Sequence, residues 1–419
     1  MLISVFTPTN DVRWLEEAYR SLVNQTYTNW EWVLVPNDNV KPEDIPQQIT
    51  TDSRVRVIPA ELKGVGALKR YACSECKGEV FVELDHDDQL TPDALDSIQE
   101  VMLNTPVGFY YSDFVSVFPD GRSEVYGPAY GWENYPFTFE DEEFTAMRAF
   151  DASARSICEI FYAPNHVRAW SRTAYDVSGG HDPSLLVGDD HDLVCRTYLT
   201  GVPFIRIPKV LYIYRSHPAS TCRRDNAAVQ KQQRENMNRY LYPLVYEDCR
   251  RRGLSMYNLS EGQPRADFQP LPFCLDGVEA GFAKLRDLKP NSVGCFWAPD
   301  IMQRVPMTNV AEFFNSIYRA LAPGGWFHCT VPSTDDGNGI AGRGAFQDPG
   351  HISFWNANSP WYYTHRDYAR HVRGYKGRFQ LVRCWNEYPS PWHKANFVPY
   401  LYFDLHALKG QRAPGLSTI

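Results

Sequence analysis

The residues best suited to chemistry are Asp85-His86-Asp87-Asp88, three carboxylates and an imidazole at the end of the apolar run Val80-Phe81-Val82-Glu83-Leu84. Like charges grouped at the end of a buried strand raise each other's pKa and resist burial. A divalent cation removes that cost, and oxygen ligands of this kind suit Mg²⁺ or Mn²⁺, which keeps waters and bridges substrate phosphates. The plainer reading is a polar strand-end turn, with Thr91-Pro92-Asp93 opening the helical pattern Ala94-Leu95-Asp96-Ser97-Ile98. A second acidic group, Asp189-Asp190-His191-Asp192, follows Gly188 and precedes Arg196. Acids at a helix start are favoured by the macrodipole, and a carboxylate placed there can also take a proton from a hydroxyl.

Several elements must position these groups. Residues 2–6 form an apolar strand ending at Thr7-Pro8-Thr9-Asn10, and Trp14, Ala18, Leu22 and Val23 then recur with helical spacing. Glu31–Val35 is a second strand, ending at Pro36-Asn37-Asp38-Asn39, and Arg54–Ile58 a third. A helix spans roughly Gly66 to Cys76, and the strand at 79–84 follows. The alternation predicts an α/β fold with a parallel sheet wound on both faces, whose ligands sit at the carboxyl ends of the strands. The polar clusters at 7–10, 36–39 and 85–88 all lie at such ends, so three separate loops converge on one crevice.

These blocks carry a resemblance. Ser4–Asn10, Ser21–Tyr27 and Trp30–Val35 are similar to the opening of family 2 glycosyltransferases, and Leu84–Asp88 with Pro92 and Leu95 resembles their DxD motif. The similarity runs to about residue 220. It implies a GT-A fold, a Rossmann-like nucleotide-sugar-binding domain, and inverting, divalent-metal-dependent transfer of a hexose or pentose from a nucleoside diphosphate to a hydroxyl acceptor. By the resemblance, Asp190 is the catalytic base. Thr7, Pro8, Asn37, Lys69, Asp85 and Arg215 face the donor, and Asp87, Asp88 and His217 hold Mn²⁺ or Mg²⁺. His166, Arg168 and Asp189 are candidate acceptor contacts. One departure is that Pro36-Asn37 stands where the family carries two aspartates, one of which bonds the nucleotide base. An amide offers a donor as well as an acceptor, so a UDP-sugar is the default donor and a GDP-sugar stays open.

Residues 131–151, with six acids and one arginine, show little pattern and read as a loop over the acceptor side or as a solvated loop. Residues 163–170 surround an apolar strand pattern with polar groups. Residues 223–252 carry eight basic residues and four acids, and read as an amphipathic helix stopped by Gly253, so the first domain is expected to span 1–252. Residues 253–272 have linker composition. In 273–419, the strand at 292–296, the helix at 310–321, Ala322-Pro323-Gly324-Gly325 and the strand at 326–332 are similar to the later half of a class I methyltransferase. The glycine-rich loop that holds S-adenosylmethionine in such enzymes has no counterpart in 253–290. The expectation is therefore a smaller, truncated α/β methyltransferase-like domain that is not catalytic and binds no S-adenosylmethionine. It is expected to serve as a docking surface, a homo-oligomer contact or an aid to acceptor binding. The block Gly342–Asn356 resembles one in bacterial and phage proteins with this fusion and reads as a rigid polar turn.

Composition narrows the classes. The chain has 419 residues, enough for two domains, with 43% hydrophobic and 22% charged residues, and so is globular. A net charge of -8 argues against a general nucleic-acid binder. Seven basic residues against two acids in 365–394, interleaved with Tyr and Trp, are a local exception. No apolar run approaches the roughly 20 residues of a membrane span. The chain opens directly into a strand, and its ten cysteines are scattered. The expectation is a cytoplasmic protein of a bacterium or a phage-infected host, with reduced thiols and a structural Cys73/Cys76 pair. Three functions remain: transfer to a glycan or lipid-linked hydroxyl, glycosylation of hydroxymethylated pyrimidines in phage DNA, and a scaffold whose two domains are both degenerate.

Overall fold

The computed structural model describes residues 1–127, 131–160, 163–262, 265–274, 276–335 and 343–410. The chain divides into two units, Met1–Leu244 and Val245–Ile419. The division falls inside the helix Asn226–Arg251, which also contains Pro243.

The first unit is built on eleven strands: β1 (Ile3–Thr9), β2 (Trp30–Pro36), β3 (Val55–Val57), β4 (Val80–Glu83), β5 (Gln89–Leu90), β6 (Phe109–Val117), β7 (Ser123–Glu124), β8 (Glu133–Phe139), β9 (Glu142–Arg148), β10 (Arg168–Ser171) and β11 (Phe204–Arg215). The main path runs β3-β2-β1-β4-β10-β6-β11-β5. β1, β2, β3 and β4 are parallel neighbours, as the strand–helix alternation requires. The sheet is mixed rather than all parallel, because β10 runs antiparallel to both β4 and β6. The strand pattern read in 163–170 is thus realised at Arg168–Ser171, as a central strand.

The helix Leu15–Val23 buries Leu15, Ala18 and Leu22 on one stripe. Val23, expected in the core, is 44% exposed. Three strand ends are tied together by side chains. The Thr7 hydroxyl donates to the Leu84 carbonyl at 2.6 Å and accepts from the Trp32 indole at 2.8 Å. After β4 the chain passes through residues 84–88 to the edge strand β5, with β10, β6 and β11 between them in the sheet order. That crossing carries the acidic cluster over the carboxyl side of the sheet.

Residues 131–151 are not an irregular loop. β8 and β9 pair in register from Glu133↔Arg148 to Phe139↔Glu142, and Met147 of β9 pairs with Phe114 of β6. The turn residues Glu140 and Asp141 both have positive φ, the conformation that a two-residue hairpin loop demands. Tyr135, Phe137, Phe139 and Phe144 pack against a small core of Val115, Ala146, Val210 and Ile213. The alternation is masked in the sequence by five acids, Glu133, Glu140, Asp141, Glu142 and Glu143, on the solvent side and at the turn.

The second unit contains β12 (Ser255–Asn258), β13 (Gln269–Pro270), β14 (Val293–Pro299), β15 (Leu321–Pro332), β16 (Phe379–Glu387) and β17 (Tyr400–Ala407), ordered β13-β12-β14-β15-β17-β16. β12 to β15 are parallel, and β17 is antiparallel to both β15 and β16. The helix Val310–Ala320 buries Val310, Phe313, Phe314, Ile317 and Ala320 against it. Residues 253–272 are not a free linker among the described residues, since β12 and β13 lie in this sheet and Phe268 is buried. Gly342 of the polar block lies outside the described residues. From Arg343 onward the block begins with a short helix, Arg343–Gln347. No helix among the described residues is long and apolar enough to cross a membrane.

Gly66 marks a tight contact beneath the candidate site. A Cβ there would stand 2.1 Å from the Asp182 carbonyl oxygen, and its N–H donates to the Leu185 carbonyl at 3.1 Å. This contact fixes the helix Val65–Glu75, and with it Lys69, against the segment that leads to Asp189. Gly66→Ala is expected to cost about 1–3 kcal/mol by overpacking. Urea denaturation measures it, and an unchanged midpoint would contradict the contact.

Candidate active site

A cavity of about 930 Å³ opens at the carboxyl ends of β1, β2 and β4, and its wall includes Pro8, Asp38, Lys69, Asp85, Asp87 and Asp190. His166, Arg168, Asp189 and His217 also line it. The clusters at 7–10, 36–39 and 85–88 thus converge with the second acidic group in one place.

One side of the cavity is a buried chain of charges. The Lys69 ammonium donates to Glu83 Oε1 at 2.5 Å. The Arg168 guanidinium donates to the same oxygen at 3.0 Å and to Asp190 Oδ2 at 2.6 Å. Burial works to raise the Glu83 carboxyl, but Arg168 and Lys69 outweigh it and hold it at about 2. Asp190 follows the same balance. Burial raises it, while Arg168, Lys69 and the His191 N–H on its Oδ1 at 2.7 Å take it well below the usual carboxylate range. Burial alone would lower Lys69, yet the facing carboxylates of Asp189 and Glu83 raise it. Asp189 is further held by His181 Nδ1 at 2.7 Å. Local sequence explains the placement. Gly188 adopts φ +68°, which lets the chain turn sharply into the helix Asp189–Leu199, so three acids fall in its first turn.

The other side is short of positive charge. Burial, then Glu83 and Asp87, push Asp85 up to about 6, against the pull of Lys69. Asp88 is pushed up by burial and by Asp87 and Asp85. Its Oδ1 accepts the Arg215 N–H at 2.7 Å and its Oδ2 the Tyr212 hydroxyl at 2.8 Å. Tyr212 also accepts from the Asp85 N–H at 3.1 Å, so one phenol bridges the two acids. His217 Nε2 lies 2.7 Å from Asp87 Oδ2, and its ring sits 4.6 Å from that of Trp14. His166 stacks on Tyr212 at 4.3 Å and on Tyr214 at 5.5 Å. Burial and Arg168 keep its imidazole neutral, and its buried Nδ1 has no hydrogen-bond partner among the described residues.

These groups fit a divalent cation. Ligand atoms of Asp85, Asp88 and His166 come within 4.8 Å of one another, a set of hard oxygens and one imidazole. The structure groups them differently from the expected Asp87, Asp88 and His217, because Asp88 turns toward Tyr212 and β11 while Asp87 pairs with His217.

Other expected donor contacts divide. Pro8, Lys69 and Asp85 reach the cavity. Thr7 is fully buried and its hydroxyl is consumed between Leu84 and Trp32, so it holds strand ends together. Asn37 is buried, and its amide donates to Asp38 Oδ2 at 3.1 Å, so Asp38 is the residue of that pair on the wall. The Arg215 guanidinium turns away to Glu17 and to the Asp87 carbonyl. Sequence reasoning missed Glu83, Tyr212 and Asp38. Glu83 read as part of an apolar strand, and only the fold brings Lys69 and Arg168 to it. Asp38 has a positive φ, +55°, which a Pro-Asn-Asp-Asn run allows at any of its three Asn/Asp positions, so the run does not single it out.

Residues 4–156 match the family described as glycosyl transferase family 2. A hyaluronan synthase of Pasteurella multocida is 24% identical over 62% of this chain and 24% of its own length. A chondroitin synthase of Escherichia coli is 24% identical over 62% of this chain and 34% of its own length. The chain thus spans about a third or a quarter of the length of these relatives. Among solved structures, residues 1–349 of S. aureus TarS in complex with UDP-GlcNAc superpose with a TM-score of 0.41 at 16% identity, over 52% of this chain and 60% of that one. The matched stretch lies wholly within the first unit, an α/β domain, and makes up the greater part of it.

The opposed pKa shifts set a testable pH dependence. The folded pKa of Asp85 lies above its unfolded value, so folding takes up a proton there and stability falls as pH rises from about 4 through 6. Glu83 acts in the opposite sense: its stabilisation is present above about 4.5 and is lost as pH falls toward 2. In chelator, Asp85→Asn is expected to gain thermal stability over wild type as pH rises from 4 to 7. Parallel melting curves across that range would contradict the shift.

Proposed function

We propose that this chain transfers a sugar from a nucleoside diphosphate to a hydroxyl acceptor with inversion at the anomeric carbon. The observation that carries the reading is the convergence, in one cavity, of a carboxylate held ionised and an acid cluster short of positive charge. Asp190 is the base. Arg168 and the His191 N–H fix its orientation and its charge, so it meets an incoming hydroxyl as an acceptor. Its lowered pKa makes it a weak base toward a resting alcohol. Proton transfer is therefore late, once attack on the anomeric carbon has acidified the hydroxyl.

Asp85, Asp87 and Asp88, with His166 or His217, are the residues that would hold Mn²⁺ or Mg²⁺. When bound, the cation offsets the charge on the departing diphosphate. Asp38 is placed to accept from the nucleotide base or ribose, and supports a UDP-sugar, with a GDP-sugar as the alternative. UDP-GlcNAc in the TarS complex and the glycan products named for the relatives support the same donor class and a glycan hydroxyl as acceptor. The second unit we read as a methyltransferase-like domain without a catalytic role. Its support is a parallel sheet whose last strand, β17, inserts antiparallel between β15 and β16, and a first strand followed by no glycine-rich turn.

A panel of UDP- and GDP-sugars, assayed for transfer and slow donor hydrolysis with Mn²⁺, tests the reading. Asp190→Asn is expected to lower transfer by roughly 10²–10⁴-fold, the usual worth of a general base, with donor affinity little changed. Wild-type turnover by that variant would remove Asp190 from its role.

A further inference from the structure

The second unit carries a basic surface that the donor chemistry does not use. After the helix Trp361–Thr364, the helix Arg366–Ala369 runs on into hydrogen-bonded turns. The His371 N–H donates to the Tyr368 carbonyl at 3.0 Å, Val372 to Ala369 at 3.0 Å and Tyr375 to Val372 at 3.2 Å. Arg366, Arg370 and Arg373 therefore recur on successive turns, and Lys376 and Arg378 follow. All five side chains are exposed. None forms an ion pair with a described residue, whereas Arg286 and Arg383 of the same unit pair with Glu279 and Asp404. Asp367 is the one acid between Trp361 and Arg378.

The inner side of this segment is anchored. Val372 and Tyr375 pack on the core of the unit. The Tyr375 hydroxyl donates to the Tyr363 carbonyl at 2.6 Å. Asn315 grips the turn from both sides, donating to the Gly374 carbonyl at 2.8 Å and accepting the Lys376 N–H at 2.7 Å. Beside the cations, Tyr362 and Tyr368 are 43% and 39% exposed, with ring centroids 5.4 Å apart.

On a chain of net charge -8, holding five unpaired cations together on an ordered frame costs self-repulsion that a polyanion relieves. The frame is preordered, so little entropy is lost on binding. We propose that the Arg366–Arg378 surface binds an anionic polysaccharide. The arginine forks take its carboxylates or phosphates bidentately, and the exposed tyrosine rings lie against the apolar faces of its sugar rings. A glycan is favoured over nucleic acid because residues 4–156 match the glycosyl transferase family 2 model. The proposal thus rests in part on the reading of the first unit.

The test is binding of the full chain to polygalacturonate, to a phosphomannan, to neutral dextran and to duplex DNA. Binding to polygalacturonate or phosphomannan is expected, with the preferred one identifying the anion. Dextran is expected not to bind, and affinity should fall by about tenfold or more between 50 and 200 mM salt, as ion release requires. Arg366→Ala/Arg370→Ala/Arg373→Ala should weaken binding by about tenfold or more while leaving thermal midpoint and donor hydrolysis unchanged. Binding to neither anionic glycan, equal binding by the triple variant, or tighter binding to DNA than to either glycan would overturn the proposal. Donor hydrolysis without glycan binding defeats this inference alone. Glycan binding without donor hydrolysis defeats the reading of the first unit and leaves the surface standing.

Discussion

Arg168 sits between two carboxylates, the buried Glu83 at the end of β4 and the partly buried Asp190 at the start of the helix Asp189–Leu199, and is itself only 3% exposed. Removing it would strand two negative charges in a site that already holds Asp85, Asp88 and Asp189. Breaking a buried pair in this way costs about 3–5 kcal/mol. The strand order follows from the same need. β10 runs antiparallel between β4 and β6, and this places Arg168 at its first residue, beside Glu83 and across from Asp190. Lys69 completes the set from the helix Val65–Glu75, whose approach depends on Gly66.

With that side neutralised internally, the remaining imbalance lies at Asp85, Asp87 and Asp88. Tyr212, the backbone of Arg215 and His217 supply hydrogen bonds there, while the Arg215 guanidinium is spent on Glu17 and a carbonyl. The protein has therefore built two neighbouring carboxylate groups with opposite electrostatics. One is held ionised by Arg168 and Lys69, while in the other burial and like charges push Asp85 and Asp88 up. On the function proposed above, that division separates a proton-accepting group from a diphosphate-holding group within a single cavity.

Much of this was legible in the sequence. The strands of the first half have apolar runs of the right length, and the polar clusters that follow them do meet at the carboxyl ends. Side-chain direction was not legible. Thr7, Asn37 and Arg215 stand at the right places in the chain, yet they point into strand ties, a neighbouring aspartate and Glu17. Trp14 reads as part of an apolar helical stripe and instead lies against His217. The hairpin β8–β9 was hidden because its acids obscure a two-residue alternation, whereas the apolar strand pattern of β10 was legible and its central place between β4 and β6 was not. In the second unit, the Pro/Gln-rich segment after Gly253 has the composition of a linker but contributes β12 and β13, whose pairing depends on a partner, β14, that lies far along the chain.

The electrostatic division is tested most directly by titrating UDP into the full chain in Mn²⁺ and again in chelator. Binding should be tighter in Mn²⁺ by about tenfold or more, equivalent to roughly 1.4 kcal/mol, and Asp87→Asn should remove most of that difference. Equal affinity for UDP in Mn²⁺ and in chelator would contradict a cation-requiring diphosphate site at Asp85-His86-Asp87-Asp88.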